Sequence, residues 1–574
     1  MKKLLRYLKG YRRESVFAPL FKCLEAVFEL LVPLAVTRII DVGIRQERPD
    51  VVWQMCGVMI ALGVIGLVCS LCAQYFAAKA AVGCSEKMRE SLFSHIQSFS
   101  YSATDKIGTS TLITRMTGDI NSVQTGINMF LRLFMRSPFI VFGAMIMAFT
   151  IDRRLALIFA GAIALLAVVV FGIMLISIPL FKKSQARLDR VLGKVRGNYN
   201  GTRVIRAFNK EKEEMTDFDR LHGGLTSIQL FAGRISALMN PLTYVIINLA
   251  VILLIRGGAL HVSSGVLTQG ELVALYNYMS QILVELIKLA NLIITLNKAM
   301  ASFRRIEDVM ETPSDAPHTA DTPAGSTDYA VCFENVSFRY HETGDESLHN
   351  ISFSARPGEI IGIIGSTGSG KSTLVNLIPG FYIPTSGSVL IGGKNTALYA
   401  KTELTDRVGV VPQKAMLFKG TIRSNLEWGN PQASEQEMWE ALEGAQAKEF
   451  VLEKDKQLAE PVAQNGSNFS GGQRQRLTVA RALLKHPQIL ILDDSASALD
   501  YATESRMRAA LRKLPYHPTL FIVSQRTSSI LDADRILVLD DGRLVGCGTH
   551  EELLSSCEIY QEIYYSQFPK GGEQ

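Results

Sequence analysis

Six runs of mostly apolar residues, each long enough to matter to a bilayer, dominate the first half of the chain, at about 16–40, 51–80, 128–150, 155–180, 239–261 and 271–298. Hydrocarbon offers the backbone no water to bond with, so runs of ~20 apolar residues satisfy themselves as membrane-spanning helices. The first run is the weakest, because Lys22, Glu25 and Glu29 interrupt it. Its assignment leans on the other five. Short links near 45–50, 151–154 and 262–270 alternate with two long polar, helix-compatible segments at about 81–127 and 181–238. An even number of spans puts both termini and both long segments on one side. Lys and Arg crowd that side, beginning with Lys2, Lys3, Arg6, Lys9, Arg12 and Arg13, so it is expected to be cytoplasmic. Arg153 and Arg154 count weakly against this orientation. Unstructured loops longer than ~15 residues are uncommon in compact domains, so the long segments are expected to be helical extensions that carry motion. The basic, then apolar, N-terminus lacks a small-residue cleavage site, and no removable signal peptide is expected.

The chain has 574 residues, too many for one hydrophobic core, and its mean hydropathy of +0.17 averages an apolar first half with a polar second half. The net charge of +6 resides largely beside the apolar runs, which argues for membrane flanks rather than nucleic acid. Of eight cysteines only Cys69 and Cys72 form a CxxC, inside an apolar run with no second pair, so they are read as helix filling rather than metal ligands. After Glu311 the segment TPSDAPHTADTPAGSTD has no apolar period and is expected to be a linker. Beyond it, β-branched runs (VCFENVSF, EIIGIIG, QILILDD, TLFIVSQ, RILVLDDG) alternate with helical stretches, the pattern of an α/β domain.

Residues Gly365 to Ser372 spell GxxxxGKS between an apolar strand and a helix. Gly365, Gly368 and Gly370 free the backbone to close around phosphate oxygens, Lys371 reaches the outer phosphates, and Ser372 can ligate Mg²⁺. Ser366, Thr367, Ser369 and Thr373 complete the loop and its exit. Ile489 to Leu492 lead into Asp493, a strand ending in a carboxylate suited to Mg²⁺. Between the two motifs lie Ser470, Gly471, Gly472 and Gln473. This run resembles the signature of ABC ATPases, and further elements fall in that family's order: Tyr340, Gln413 in VVPQ, the SALD of Ser497 to Asp500, and SQRTSSI. The segments TSTLITRMTGDINSVQ and GNYNGTRVIRAFNKEKEE resemble the cytoplasmic loops of type IV ABC exporters, where coupling helices seat on the ATPase domains.

The resemblance spans nearly the whole chain. It implies an all-α six-helix transmembrane domain (1–311), a linker (312–329) and an α/β P-loop ATPase domain (330–574). It further implies that Tyr340 stacks on adenine, that Ser372, Gln413 and Asp493 hold Mg²⁺, and that Asp500 belongs to the D-loop. Two chains would sandwich two ATP molecules, each between one chain's P-loop and the other's SGGQ. The expected location is a bacterial plasma membrane, with N-terminus and ATPase domain in the cytoplasm.

Two departures stand out. The Walker B aspartate is followed by Asp494 where active members carry glutamate, and Gln525 replaces the switch histidine. Asp is one methylene short, and glutamine cannot carry imidazolium charge. Phe469 stands where leucine is usual, and the signature is otherwise intact. The pattern resembles the degenerate-site subunit of bacterial heterodimeric multidrug exporters, which binds ATP but hydrolyses it poorly and completes the partner's catalytic site. Alternatives are a slow homodimer and a nucleotide-gated channel or regulator; an importer is disfavoured because its domains usually lie on separate chains. Drugs, lipids and peptides all suit an apolar cavity. Glu25 and Glu29, with Lys22 and Arg256, are candidates to line it or to pair with one another, with snorkelling at the interface as the alternative for Lys22, Glu25 and Arg256.

Overall fold

The computed structural model describes residues 2–313, 328–340, 344–495 and 498–568. Most of the expected linker, and Ser497 of the SALD motif, lie outside the described residues. The chain forms two compact units, Met1–Gln97 with Thr109–Thr312, and Ser98–Gly108 with Pro313–Gln574.

The first unit is helical throughout. Three of its helices run unbroken from apolar core into polar extension: Pro49–Gln97, Arg153–Asn200 and Gln269–Met310. The long polar segments are therefore largely helix, as their length demanded. Asp152 caps the second of these, its Oδ1 accepting from the amides of Arg154 and Leu155 at 2.7 and 3.0 Å. Among the described residues, five helical stretches are long and apolar enough to cross a membrane: Pro49–Gln97, Thr109–Ile151, Arg153–Asn200, Glu211–Ser263 and Gln269–Met310. The first expected span is not among them because Lys22, Glu25 and Glu29 crowd it with charge, yet Arg12–Arg38 is a continuous helix of 27 residues. At 1.5 Å per residue it reaches about 40 Å, more than a hydrocarbon core requires.

Large apolar side chains such as Trp53, Ile60, Val64 and Leu67 point outward on Pro49–Gln97, while Ala73, Ala77, Ala80 and Ala81 are buried. Small residues inside and large ones outside are the arrangement helices use when lipid is the solvent, since dispersion and close approach must hold them together. At Gly126, a Cβ would lie 2.3 Å from that of Ala299, so glycine is required for the crossing of Ile120–Leu133 and Gln269–Met310.

The second unit is built on a six-stranded sheet ordered Arg543–Gly548, Arg535–Asp540, Ile360–Gly365, Thr519–Val523, Ile489–Asp493, Val408–Val411. All neighbours pair in parallel except the hairpin at the first edge. Ile360–Gly365, Ile489–Asp493 and Thr519–Val523 are buried along their whole length, which explains continuous apolar runs without alternation. Their adjacency aligns three carboxyl ends, and ligands of open α/β sheets bind at such ends. A four-stranded antiparallel sheet, Leu348–Ala355, Val331–Phe338, Ser386–Ile391 and Lys394–Asn395, delivers Tyr340.

The short helix Tyr101–Ile107 belongs to this second unit. Tyr101 stacks on Phe381 with ring centroids 4.3 Å apart, and Tyr382 donates to Asp105 at 2.7 Å. It lies just before TSTLITRMTGDINSVQ, the segment quoted for the first loop. Within the second loop segment, Thr202–Ala207 forms a comparable short helix in the first unit.

Candidate functional site

The three aligned strand ends bring the sequence motifs into one cleft lined by Tyr340, the P-loop, Gln413, Asp493, Asp494 and Gln525. Gly368 and Gly370 take φ of 88° and 94°, left-handed backbone that a side chain would strain. At Gly370 a Cβ would also meet Ser347 O at 2.8 Å. Lys371 opens the helix Lys371–Leu377 and is buried, its Nζ donating to Gly365 O at 2.9 Å and Ser366 O at 2.6 Å. Burial pushes its ammonium below the usual lysine range, against the pull of Asp494 and Asp493. Ser372 Oγ donates to Asp493 Oδ1 at 2.9 Å. Burial raises the Asp493 carboxyl, and the Ser372 hydrogen bond opposes it.

Asp494 follows at φ 45°, its amide bonded to Val523 O on the neighbouring strand at 3.0 Å. Gln413 Nε2 donates to Asp494 Oδ2 at 3.0 Å, so the Gln413 amide and the Asp494 carboxylate hold each other. Tyr340 Oη lies 3.0 Å from Thr373 Oγ1, with the phenol ring partly exposed at the cleft edge. Gln525 is tied through its backbone: its carbonyl accepts from Gln567 Nε2 at 2.8 Å, and Gln567 Oε1 accepts from Thr527 N and Oγ1. Sequence reasoning missed Gln567, which sits at the end of the last described helix with no motif around it. It also missed Asp345, Glu346, Ser347, Asp541 and Gly542, which share the cleft.

The signature residues are not among the residues lining that cleft. Ser470 caps Gly471–Leu483: its Oγ accepts from Gln473 N at 3.2 Å while Gln473 Oε1 accepts from Ser470 N at 3.0 Å. Ser470 and Gly471 are exposed and Gly472 partly so. Phe469 is buried with Leu417 and Leu477 in the domain core, so the larger side chain is absorbed without disturbing the loop. Asp500 caps Tyr501–Arg512 through Thr503 N at 2.9 Å, and that bond holds its carboxyl below the usual range.

Family models for the ABC transporter transmembrane region and for the ABC transporter ATPase match residues 16–286 and 348–497. The ABC transporter ATP-binding protein YfiB of Bacillus subtilis is 36% identical over 574 residues, covering all of both chains. The chain belongs to the ABC transporter family. Another B. subtilis relative, YgaD, for which multidrug export is the proposed role, is 31% identical over 99% of each chain. A fatty acid ABC transporter of Mycobacterium bovis is 33% identical over 79% of this chain and 71% of its own. The fold is that of a bacterial Atm1-family ABC exporter solved with ATP bound, at a TM-score of 0.81 and 24% identity, covering 98% and 99% of the two chains. An ABC transporter of this architecture is an ATP-hydrolysing, multi-pass membrane protein. Its cleft fits Mg²⁺-ATP: a buried lysine, glycines that admit no Cβ, and the paired hard oxygens of Ser372 and Asp493.

In the first unit of the transporter, Glu25 and Glu29 belong to a cluster of charges that includes Arg136 and Glu285, which the sequence reading passed over. Arg136, 7% exposed, donates Nη2 to Glu29 at 2.7 Å and Nη1 to Glu285 at 2.6 Å. Its Nε lies 4.0 Å from Glu25 Oε1. Glu285, 2% exposed, also accepts from Ser137 Oγ at 2.7 Å and Lys288 Nζ at 2.8 Å. Lys22 does not snorkel. It is 6% exposed, 2.5 Å from Glu25 and 3.1 Å from Ser70 Oγ. Glu25 is likewise drawn inward, whereas Arg256 is exposed on its helix. Arg136 and Glu285 interrupt their own apolar runs as plainly as Lys22 does, so the signal for them was present.

Proposed function

We propose that this chain is a degenerate-site subunit of a heterodimeric exporter, with residues 1–311 as transmembrane domain, 312–329 as linker and 330–574 as ATPase domain. ATP and Mg²⁺ bind its P-loop, closure of the dimer turns the membrane cavity outward, and hydrolysis at the partner's P-loop resets it. The observation that carries this reading is Asp494 bound to Gln413 in the cleft that also holds Gln525. A glutamate there would extend one methylene further toward an attacking water, and a ~1 Å displacement of a catalytic group can cost ~100-fold in rate. The paired carboxylate and amide instead satisfy each other. Ser470 and Gly471, exposed, and Gly472 and Gln473, partly so, are ordered by their cap and are the surface this chain offers the partner's γ-phosphate, with Asp500 in the D-loop. The cargo is read as amphipathic small molecules, lipids or peptides, in line with relatives named for fatty acids and, as a proposed role, for multidrug export. The orientation is that of a bacterial plasma-membrane exporter with its ATPase in the cytoplasm.

The test is to restore the missing groups. Asp494→Glu with Gln525→His, in the chain co-purified with the half-transporter it assembles with, is expected to raise hydrolysis at this P-loop at least tenfold. No rise would reject Asp494 and Gln525 as the cause of slow turnover.

A further inference from the structure

The intramembrane cluster comprises three cations, Lys22, Arg136 and Lys288, and three carboxylates, Glu25, Glu29 and Glu285. The carboxylates are not equivalent. The Glu285 side chain is 3% exposed and holds three donors, and that of Glu25 is 17% exposed with Lys22 at 2.5 Å. The Glu29 side chain is 41% exposed, and among the described residues only Arg136 is seen to pair with it.

That exposure does not face the outer stripe of its helix. On Arg12–Arg38, Leu20, Leu24, Val27 and Leu31 form an exposed apolar stripe at spacings of 4, 3 and 4. Lys22, Ala26 and Pro33 are buried on the opposite face, and Glu29 is spaced with them. Glu29 is thus partly exposed on the side of its helix that carries the buried residues, away from the outer apolar stripe. Arg136 supplies the second observation: its Nε is buried without a hydrogen-bond partner while pointing to Glu25 4.0 Å away. A buried unpaired donor is costly, and closing that gap would satisfy it.

We propose that Glu29 is an exchangeable carboxylate that receives the charged group of a lipophilic organic cation. As the cation docks, Arg136 leaves Glu29 and closes onto Glu25 while keeping Glu285, so the guanidinium is never left without anions. Glu29 is freed at little cost because the arginine exchanges one carboxylate for another. In the low dielectric between helices its charge then attracts a cation far more strongly than water would allow. An anion of the same shape meets the freed, partly exposed carboxylate of Glu29 and is repelled, since Glu25 and Glu285 are already neutralised by Lys22, Arg136 and Lys288. This inference rests on the export reading for its place in transport, though not for the binding event itself.

The experiment uses the assembled transporter in lipid nanodiscs, with tetraphenylphosphonium as probe and tetraphenylborate as its isosteric anion. Saturable binding of the phosphonium is expected, weakened about tenfold or more by Glu29→Gln, as for a desolvated charge pair losing one partner, and largely retained by Glu29→Asp. Tetraphenylborate should not compete. Equal phosphonium affinity in wild type and Glu29→Gln, or no saturable binding by wild type, would overturn the proposal. ATP-driven export of the neutral calcein acetoxymethyl ester, measured in parallel in vesicles, separates the two readings. Export of the neutral ester without Glu29-dependent phosphonium binding sinks the exchange site alone. Glu29-dependent binding without export of either probe upholds the site and counts against export.

Discussion

The P-loop face and the signature face of the ATPase unit have diverged to different degrees. On the first, the fold keeps the glycine turn, buried lysine, Mg²⁺-type oxygens and aromatic edge, yet Asp494 and Gln525 stand where the family resemblance implies glutamate and histidine. On the second, the capping box is complete and the one odd residue, Phe469, is taken up by the core. The difference teaches that the two faces are separable within one chain. The P-loop face hangs on strand ends, the signature on a helix cap, and the cleft of one includes none of the four residues of the other. A change that disables one leaves the other's geometry alone, as a chain serving two different nucleotide sites requires.

The comparison is broken most violently by Gly472→Glu. A Cβ at Gly472 would lie 3.0 Å from Ala498 O, and on the proposed reading the added carboxylate would project where a partner's γ-phosphate docks. Steady-state ATPase of the assembled transporter is expected to fall about 100 to 1000-fold, the cost of losing charge stabilisation in a transition state that is being reached. Ser470→Ala, which removes the cap acceptor for Gln473 N, should fall in the same direction by a smaller factor. On the proposed degenerate-site reading, in which little hydrolysis depends on it, Lys371→Ala should lower nucleotide affinity at this chain's own site while leaving most turnover. Equal collapse for Gly472→Glu and Lys371→Ala, read in the same ATPase assay, would mean two equivalent sites.

Much of the ATPase unit was legible from the sequence because its motifs sit on local structure: buried parallel strands write continuous apolar runs, and the P-loop glycines answer to left-handed backbone. The Gln413 to Asp494 bond was not legible, since it joins residues 81 apart that meet only when two sheet strands pair. Gln567 was invisible for the same reason, bonding back 42 residues to Gln525. In the membrane unit, Glu25 and Glu29 were legible as charges out of place, but their partners on other helices required the packing. Arg12–Arg38 shows the limit of reading one run at a time: Glu29 is paired by Arg136 on another helix, a fact that no window along that run contains.

The smallest expected effect sharpens the account of Asp493. Its folded pKa is raised by burial, so the ionised carboxylate destabilises the nucleotide-free fold at neutral pH, and that penalty fades as pH falls through the raised pKa toward the ordinary carboxylate range. Asp493→Asn keeps an acceptor for Ser372 and removes the buried charge. In nucleotide-free protein it should raise Tm by about 2 °C at neutral pH, a gain that shrinks on acidification, while weakening Mg²⁺-dependent ATP binding. A Tm gain that grows toward acid would show the sign to be wrong.

The central claim is that this chain's P-loop holds ATP through cycles in which the other site turns over. The direct measurement loads the assembled transporter with radiolabelled photoreactive ATP, chases it with unlabelled ATP, and follows the fraction of label remaining as triphosphate on each chain. The account predicts that label crosslinked to this chain persists as ATP after the label on the partner has become ADP and been released. Equally rapid loss of ATP from both chains would contradict it.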